Sequence, residues 1–262
     1  MEHVLLTLAY LLLSSSPTLA TVHGGEVTYN DGSQQLKGYI AYDEALPGKR
    51  PGVIVVHEWW GHNEYARKRA RMLAELGYVA LAVDMYGDGK QADHPDQAGQ
   101  FAAAVQKNMD VSRRRFAAGM KLLKEHPMTT PDKIAAIGYC FGGGIVLQMA
   151  RDGMDLKGVV SFHGSLGTSS PAEKGKVKAE VLVCNGADDS FTDQDQINDF
   201  MQEMIRAGVL LRFHSYPGAV HSFTNPDADR LAAKFSLPLG YNAEADRRSW
   251  QDMQFFLKQV FR

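Results

Sequence analysis

The sequence predicts an α/β protein whose central, mostly parallel sheet is covered by helices on both faces. Two observations lead to this fold class. From Gly25 onward, short apolar runs, typical of strands buried on both faces, alternate with longer segments of helical periodicity. In addition, polar or reactive residues repeatedly stand directly after a predicted strand, which is where parallel sheets place their binding sites.

The predicted elements follow this alternation along the chain. The opening pair of strands is predicted as a hairpin through Asp31-Gly32, and Gly77, Pro127 and Gly208 each end a helix. The predicted strands are 26–29, 36–44, 53–56, 78–84, 133–139, 157–162, 180–184 and 209–216. The predicted helices are 67–76, 97–106, 111–125, 141–150, 192–207 and 243–261.

Composition and charge limit the domain organisation and the partners. The 262 residues are 45% hydrophobic, which is enough for one large core, and the formal net charge is −2. The length does not require a second domain, so residues 21–262 are predicted to form a single one. Without a long basic run, no nucleic-acid partner is expected. We expect a monomer or a small homo-oligomer that acts on a small molecule.

The N-terminal 20 residues differ from the rest of the chain. Val4–Leu13 is nearly all apolar, and Thr18-Leu19-Ala20 resembles a signal-peptidase site. The apolar stretch is too short to span a membrane, so residues 1–20 are predicted to be a signal peptide and the protein to be periplasmic or secreted. Because Met1-Glu2-His3 lacks the usual Lys or Arg, the alternative is an uncleaved segment that packs on the body of a cytoplasmic protein.

The segment Gly138-Tyr-Cys140-Phe-Gly142 lies between a predicted strand and a predicted helix. A nucleophile at such a sharp turn has a strained backbone and needs small neighbours two residues away on either side. The helix N-terminus stabilises a thiolate. We therefore predict that Cys140 is the nucleophile of an α/β-hydrolase fold; the alternative is a tight glycine turn with an inert cysteine. The other cysteine, Cys184, lies within a predicted strand and is predicted to be a buried core thiol.

A thiol nucleophile needs a base, and the base needs an acid that orients it. In α/β-hydrolases these follow the nucleophile in the order acid, then histidine. His221 lies in a loop after the strand 209–216 and is the predicted base. Asp188 and Asp189 both follow the strand 180–184, and the spacing from Gly186 favours Asp189 as the acid.

The segment Val56–His62 follows the first fully buried strand. In this fold the corresponding loop supplies one N–H of the oxyanion hole, and the residue after the nucleophile supplies the other. The predicted donors are therefore the backbones of Trp59 and Phe141. Glu58 brings a carboxylate to the same cleft, where it is expected to influence the protonation of the thiol.

These motifs together resemble the dienelactone hydrolase family, over residues 22–262. The resemblance is carried by the Glu58 loop, Gly138-Tyr-Cys140-Phe-Gly142-Gly143, Gly186-Ala-Asp-Asp189, Tyr216-Pro-Gly-Ala-Val-His221-Ser-Phe223, and Tyr241, Ala245 and Trp250 in the tail. It implies that the thiol attacks a lactone carbonyl, that a thioester forms, and that water activated by the histidine releases it. It also implies a hydrogen bond from the resting thiol to Glu58, and neither a metal nor an organic cofactor.

The chain departs from the best-known members of this family where they bind the substrate's carboxylate with two arginines. Asp88 and Asn225 stand at about these positions, and Lys90 offers one nearby cation. We therefore predict neutral aryl or short-chain acyl esters, or neutral lactones, as substrates. Besides the oxyanion-hole residues, the residues predicted to line the pocket are Trp60, Tyr86, Lys90, His163 and Asn225.

Two other functions are compatible with these residues. A polarised thiolate that faces two N–H donors could also attack a neutral phosphotriester. Alternatively, the fold could bind a small ester or lactone as a sensor without turnover, although a sensor has no need of the cysteine, histidine and aspartate together.

Overall fold

The alternation of apolar strands and amphipathic helices produces one eight-stranded sheet in the computed structural model, which describes residues 21–262. The predicted signal peptide, residues 1–20, lies outside the described residues. The strands are β1 (Val22–Asn30), β2 (Gln35–Asp43), β3 (Arg50–Val56), β4 (Val79–Val83), β5 (Thr129–Tyr139), β6 (Gly158–Phe162), β7 (Glu180–Gly186) and β8 (Leu211–Tyr216). The helices are α1 (Glu64–Glu75), α2 (Pro95–Gln106), α3 (Met109–Glu125), α4 (Phe141–Arg151), α5 (Gln194–Ala207), α6 (Ala228–Phe235) and α7 (Ala243–Val260).

The strand order is β1-β2-β4-β3-β5-β6-β7-β8. The first hairpin pairs antiparallel, and β2 pairs antiparallel with β4. From β4 to β8 every neighbouring pair is parallel. This topology confirms the predicted α/β-hydrolase fold, because a parallel sheet needs crossover connections that place helices on its faces.

The sheet separates two hydrophobic cores. Along β3, Ile54 and Val56 belong to the core that also contains Phe116 of α3. Val53 and Val55 belong to the other core, which contains residues of α1 and α7. Successive side chains of a strand point to opposite faces, so an uninterrupted apolar run is what a strand buried on both sides requires.

Several element boundaries differ from the sequence prediction by a few residues, and one helix was not predicted. Strand β5 begins at Thr129 rather than Lys133, and a shift of register opposite Pro51/Gly52 accommodates Pro131, which has no N–H to donate. Helix α5 begins at Gln194 because Asp193 caps it. Helix α6 was not predicted; it has only eight residues, and although they are amphipathic, only the first of them, Ala228, is fully buried.

The parallel strands direct their carboxyl ends to one edge of the sheet. The residues that follow β3, β5, β7 and β8 therefore meet there, and they include Glu58, Cys140, Asp189 and His221. Within residues 21–262, no helix has both the length and the apolar character needed to cross a bilayer.

Candidate active site

Cys140 occupies the sharp turn between β5 and α4. Its backbone has φ 51° and ψ −115°, a conformation that costs about 1–3 kcal/mol for a residue with a side chain. A Cβ on Gly138 would lie 2.1 Å from the carbonyl oxygen of Gly142, and a Cβ on Gly142 would lie 2.4 Å from that of Val56. The two glycines are therefore required by the close approach of backbone to backbone around the cysteine.

A chain of hydrogen bonds connects this cysteine to a buried carboxylate. His221 Nε2 lies 3.1 Å from Cys140 Sγ, and His221 Nδ1 lies 2.8 Å from Asp189 Oδ2. The side chain of Asp189 is completely buried, whereas Asp188 is exposed to solvent. The imidazole is thus oriented by Asp189 and can accept the proton of the thiol.

The electrostatics of His221 favour this proton transfer. Burial alone would lower the pKa of the imidazole, but the Cys140 sulfur and the Asp189 carboxylate raise it to about 10. The ring therefore holds a proton at neutral pH when a negative sulfur lies beside it.

Two residues that line the cavity with Cys140 have backbone N–H groups without an acceptor among the described residues. Phe141 is the first residue of α4, so its N–H has no partner within the helix. Among the described residues, the N–H of Trp59 has no acceptor either. Both residues line the same cavity as Cys140, so together they can stabilise an oxygen that acquires negative charge.

Glu58 is 2% exposed and contacts the loop that carries His221. Ser222 Oγ donates to its Oε1 over 3.1 Å, and Asn225 Nδ2 donates to its Oε2 over 2.6 Å. Burial raises the pKa of this carboxyl above its usual value. The hydrogen bonds from Asn225 and Ser222 and the positive charges of His221 and Arg69 lower it, but offset only part of that rise. The thiol is hydrogen-bonded to His221 in this structure and not to Glu58, which differs from the resting contact that the resemblance implies.

The sulfur opens into a cavity of about 380 Å³. Its walls are mostly apolar, and the only titratable side chains among them are those of Cys140 and His221. The residues that line it are Trp59, Gly99, Ala102, Ala103, Gln106, Cys140, Phe141, Ser165, Phe191, Thr192, His221, Leu237 and Leu239.

The five side chains predicted to line the pocket lie elsewhere. Trp60 is buried against Phe235, with ring centroids 6.1 Å apart. Tyr86 donates from its hydroxyl to the carbonyl oxygen of Trp59 over 2.9 Å and, with Lys90, borders a second cavity of about 260 Å³. The ring of Tyr86 therefore supports the Trp59 loop from behind.

The other two predicted pocket residues are buried behind the reacting groups. Asn225 is occupied by Glu58, and His163 Nδ1 lies 3.1 Å from the backbone nitrogen of Cys140. Neither side chain lines the cavity, and the polar atoms of both already have protein partners. Each of them is therefore connected to the cavity only through another residue.

Most of the residues of the cavity wall were not predicted from the sequence. Gly99, Ala102 and Ala103 from α2 line the cavity, and so do Leu237 and Leu239 after α6. The small residues of α2 recur at helical spacing, a signal that could have indicated a cavity. Phe191 was also missed; its ring centroid is 4.8 Å from that of His221, and the residue is 54% exposed.

Arg69 is a buried cation that the sequence analysis also missed. It lies on α1 with the buried residues Ala66, Ala70 and Leu73, so its position on the apolar face of the helix was the available signal. Its Nη2 donates to Thr224 O and to Asp246 Oδ1, each over 2.6 Å.

The second cysteine has no catalytic surroundings. Cys184 is a free, fully buried thiol, and burial raises its pKa to about 12. Its sulfur contacts the hydroxyl of Tyr216 at 3.5 Å. Among residues 21–262, no three His, Cys, Asp or Glu side chains are grouped so as to hold a metal ion.

Residues 36–261 match the dienelactone hydrolase family. The chain belongs to that family. As a member of the dienelactone hydrolase family, it is a hydrolase that acts on ester or lactone bonds. A protein from Aquifex aeolicus, provisionally named a carboxymethylenebutenolidase, is 28% identical over 77% of this chain and 87% of its own length.

Solved structures of dienelactone hydrolase-like proteins share the fold almost completely. One is a dienelactone hydrolase-like promiscuous phosphotriesterase from metagenomic libraries, with 35% identity and a TM-score of 0.85 over 92% of this chain and 99% of that one. Another, called m3DLH, has 37% identity and a TM-score of 0.86 with the same coverage.

Proposed function

We propose that this dienelactone hydrolase family member hydrolyses neutral carboxylic esters or lactones through a thioester on Cys140. The observation that carries the proposal is the hydrogen-bonded chain from Cys140 Sγ through His221 to Asp189, with the sulfur at the floor of an apolar cavity. Cys140 is the nucleophile, His221 the base, and Asp189 the group that orients the base.

The reaction has two steps. In the first, Cys140 Sγ forms a bond to the carbonyl carbon, and the N–H groups of Trp59 and Phe141 stabilise the oxygen that becomes negative. The ester C–O bond then breaks, and the leaving oxygen takes the proton held by His221. In the second step, His221 removes a proton from water, the resulting hydroxide attacks the thioester, and the carboxylic acid leaves as the thiol is restored.

The lining of the cavity supports neutral substrates. No lysine or arginine is among its lining residues, so a substrate carboxylate would lose its hydration without gaining an ion pair. Asn225 is engaged with Glu58, and Lys90 borders the second cavity. An uncharged acyl chain or aryl ring, in contrast, finds apolar side chains on several sides.

Phosphotriester hydrolysis is the second candidate function. The metagenomic protein with 35% identity is named a promiscuous phosphotriesterase, and its structure matches this one with a TM-score of 0.85. A neutral phosphorus centre suits the same uncharged cavity and the same two N–H donors. Release of p-nitrophenol from paraoxon by the wild type, but not by Cys140→Ala, would support this activity.

The deciding experiment is stopped-flow kinetics with p-nitrophenyl butyrate. We expect a burst of p-nitrophenol equal to the enzyme concentration, followed by steady turnover, and neither in Cys140→Ala. Cys184→Ala removes the other thiol, which is buried and lies outside the cavity, and should retain both phases. Stoichiometric binding without turnover would instead indicate a sensor, and equal activity of Cys140→Ala would refute the nucleophile.

We also propose that the protein is exported and that residues 1–20 are removed, leaving one domain. The apolar stretch Val4–Leu13 and the following Thr18-Leu19-Ala20 support this proposal. N-terminal sequencing of the protein recovered from the periplasm or medium of a bacterial host should begin at Thr21. An intact N-terminus on protein in the cytoplasm would contradict it.

A further inference from the structure

His163 contacts the backbone of Cys140 and is not among the residues that line the cavity. It directly follows β6, is 1% exposed, and its Nδ1 lies 3.1 Å from the backbone nitrogen of Cys140. The same N–H also points to the carbonyl oxygen of Phe162 at 3.0 Å, so it is shared between two acceptors. The backbone N–H of Cys140, a residue with a positive φ, thus donates one hydrogen bond to a strand carbonyl and one to a histidine side chain.

The hydrogen bonds around His163 have a single consistent direction. Since Nδ1 accepts from the backbone of Cys140, a neutral ring must carry its proton on Nε2. Nε2 lies 2.7 Å from Thr224 Oγ1, which can accept that proton. The hydroxyl of Tyr65 lies 2.6 Å from the same Oγ1 and itself accepts from Arg69 Nε over 3.3 Å, so its own proton is free to be donated to Thr224.

The surroundings keep the ring of His163 neutral. Burial lowers its pKa well below the usual value, and the nearby His221 and Arg69 lower it further. The ring is therefore confined to two tautomers, and only the Nε2–H form accepts from Cys140.

We propose that His163 is a positioning residue, held in one tautomer by Thr224, that fixes the strained backbone of Cys140 and the adjacent N–H of Phe141 for reaction. The proposal rests on the proposed thiol mechanism. It connects two parts of the site, because Thr224 belongs to the same loop as His221 while His163 contacts the turn that carries the sulfur. The buried Arg69, which also donates to the carbonyl oxygen of Thr224, anchors that loop to α1.

The test is Thr224→Val, which keeps the shape of the side chain and removes the acceptor. The Nε2–H of His163 then has no partner, which favours the other tautomer and directs its Nδ1–H against the N–H of Cys140. We expect kcat for p-nitrophenyl butyrate to fall about tenfold or more while KM changes little, since the loss of an acceptor for a buried donor is of that size. Thr129→Val is the matched control, because Thr129 is equally buried but lies at the opposite end of β5.

A second measurement does not depend on turnover. The ¹⁵N resonances of histidine-labelled wild type, assigned by comparison with His163→Gln, should show His163 protonated on Nε2. In Thr224→Val the population should move toward protonation on Nδ1. A role that is only structural would lower the melting temperature of the variant without changing the tautomer in the folded protein.

The outcomes separate this proposal from the function it rests on. If the wild type does not hydrolyse esters, the thiol mechanism is wrong. His163 protonated on Nε2 would then show that the contact exists but does not serve catalysis, which overturns the positioning role. If the wild type is active and His163 is protonated on Nδ1, the proposal is wrong whatever the variants do. Should Thr224→Val fail to fold, the wild-type resonances still decide. A folded Thr224→Val with wild-type kcat also overturns it.

Discussion

Asn225 Nδ2 donates a hydrogen bond of 2.6 Å to Oε2 of Glu58, and so connects the loop of His221 to the loop that follows β3. Both residues are almost completely buried, at 4% and 2% exposure. A neutral amide therefore holds a buried acidic side chain, at a position where the best-known family members are expected to carry an arginine. The protonation of Glu58 in this protein consequently depends on hydrogen bonds more than on an adjacent cation.

Replacing Asn225 should change the pH dependence of activity. Burial raises the pKa of Glu58 and the Asn225 amide lowers it, so Asn225→Ala removes a lowering contribution and the pKa rises further. If the ionised carboxylate assists the thiol, the acid limb of kcat/KM against pH moves to higher pH and activity recovers under alkaline conditions. Asn198→Ala, on the exposed face of α5, is the control. An unshifted acid limb would show that Glu58 does not limit the reaction.

The two adjacent aspartates should differ sharply. Asp189→Asn keeps the size of the side chain but removes the acceptor charge that orients His221, and for a buried orienting aspartate this lowers kcat by roughly 10⁴-fold. Asp188→Asn should leave kcat unchanged because Asp188 is exposed and is not bonded to His221. Steady-state kinetics of both variants with p-nitrophenyl butyrate make the comparison. The reverse order of effects would assign the orienting role to Asp188.

The turn around Cys140 should tolerate a methyl group at one glycine and not at another. A Cβ on Gly142 would lie 2.4 Å from Val56 O and 2.7 Å from His57 O, so we expect Gly142→Ala to lose more than about 2 kcal/mol of unfolding free energy. A Cβ on Gly144, in contrast, meets its nearest atom at 3.5 Å, and Gly144→Ala should gain up to about 1 kcal/mol from helix propensity. Urea denaturation compares the two. Equal stabilities would mean that the backbone around the nucleophile adapts freely.

His62 should make the protein less stable in acid. Its ring is 1% exposed, neither nitrogen has a partner among the described residues, and burial lowers its pKa from 6.5 to about 4. The unfolded chain therefore binds a proton more readily, so unfolding free energy is lost as the pH falls from 6.5 toward 4, by up to about 3 kcal/mol from this residue. Urea denaturation across this range should show a shallower decline for His62→Leu. Parallel curves would assign the acid sensitivity to other groups.

The small residues of α2 should control which acyl chains fit. Nothing lies within 4 Å of a Cβ placed on Gly99, and this glycine lines the cavity, so Gly99→Leu fills open space next to the substrate. We expect KM for p-nitrophenyl hexanoate to rise while that for the acetate changes little. Ala104→Leu, on the side of α2 that borders the second cavity, is the control. An equal effect on both esters would place the acyl chain elsewhere.

Much of the fold follows from local pattern. Strands such as β3 and β4 were predictable because a parallel sheet buries both faces, which leaves an unbroken apolar run in the sequence. The order of Cys140, Asp189 and His221 could also be predicted, since each stands just after a strand and parallel strands end at the same edge. The structure places His221 within hydrogen-bond distance of both Cys140 and Asp189, while the roles of the three residues stay predictions.

The walls of the cavity could not be predicted in the same way. Leu237 and Leu239 follow α6, a short helix that was not predicted, so nothing local shows that they line the cavity. Conversely, Trp60 is adjacent to Trp59 and Tyr86 stands just after the end of β4, yet tertiary packing turns both rings away from the cavity. Proximity along the chain predicts which loop a side chain belongs to, but not which side of that loop it occupies.

The reacting groups and the cavity walls come from different parts of the molecule. The sulfur, the imidazole and the two N–H donors are held at strand ends by the sheet, whereas the surfaces that touch the rest of a substrate belong largely to α2 and to the segment after α6. Natural selection can therefore alter one without disturbing the other. Related proteins can therefore come to accept different substrates through changes in α2 and in the segment after α6, while the residues that carry out the reaction stay the same.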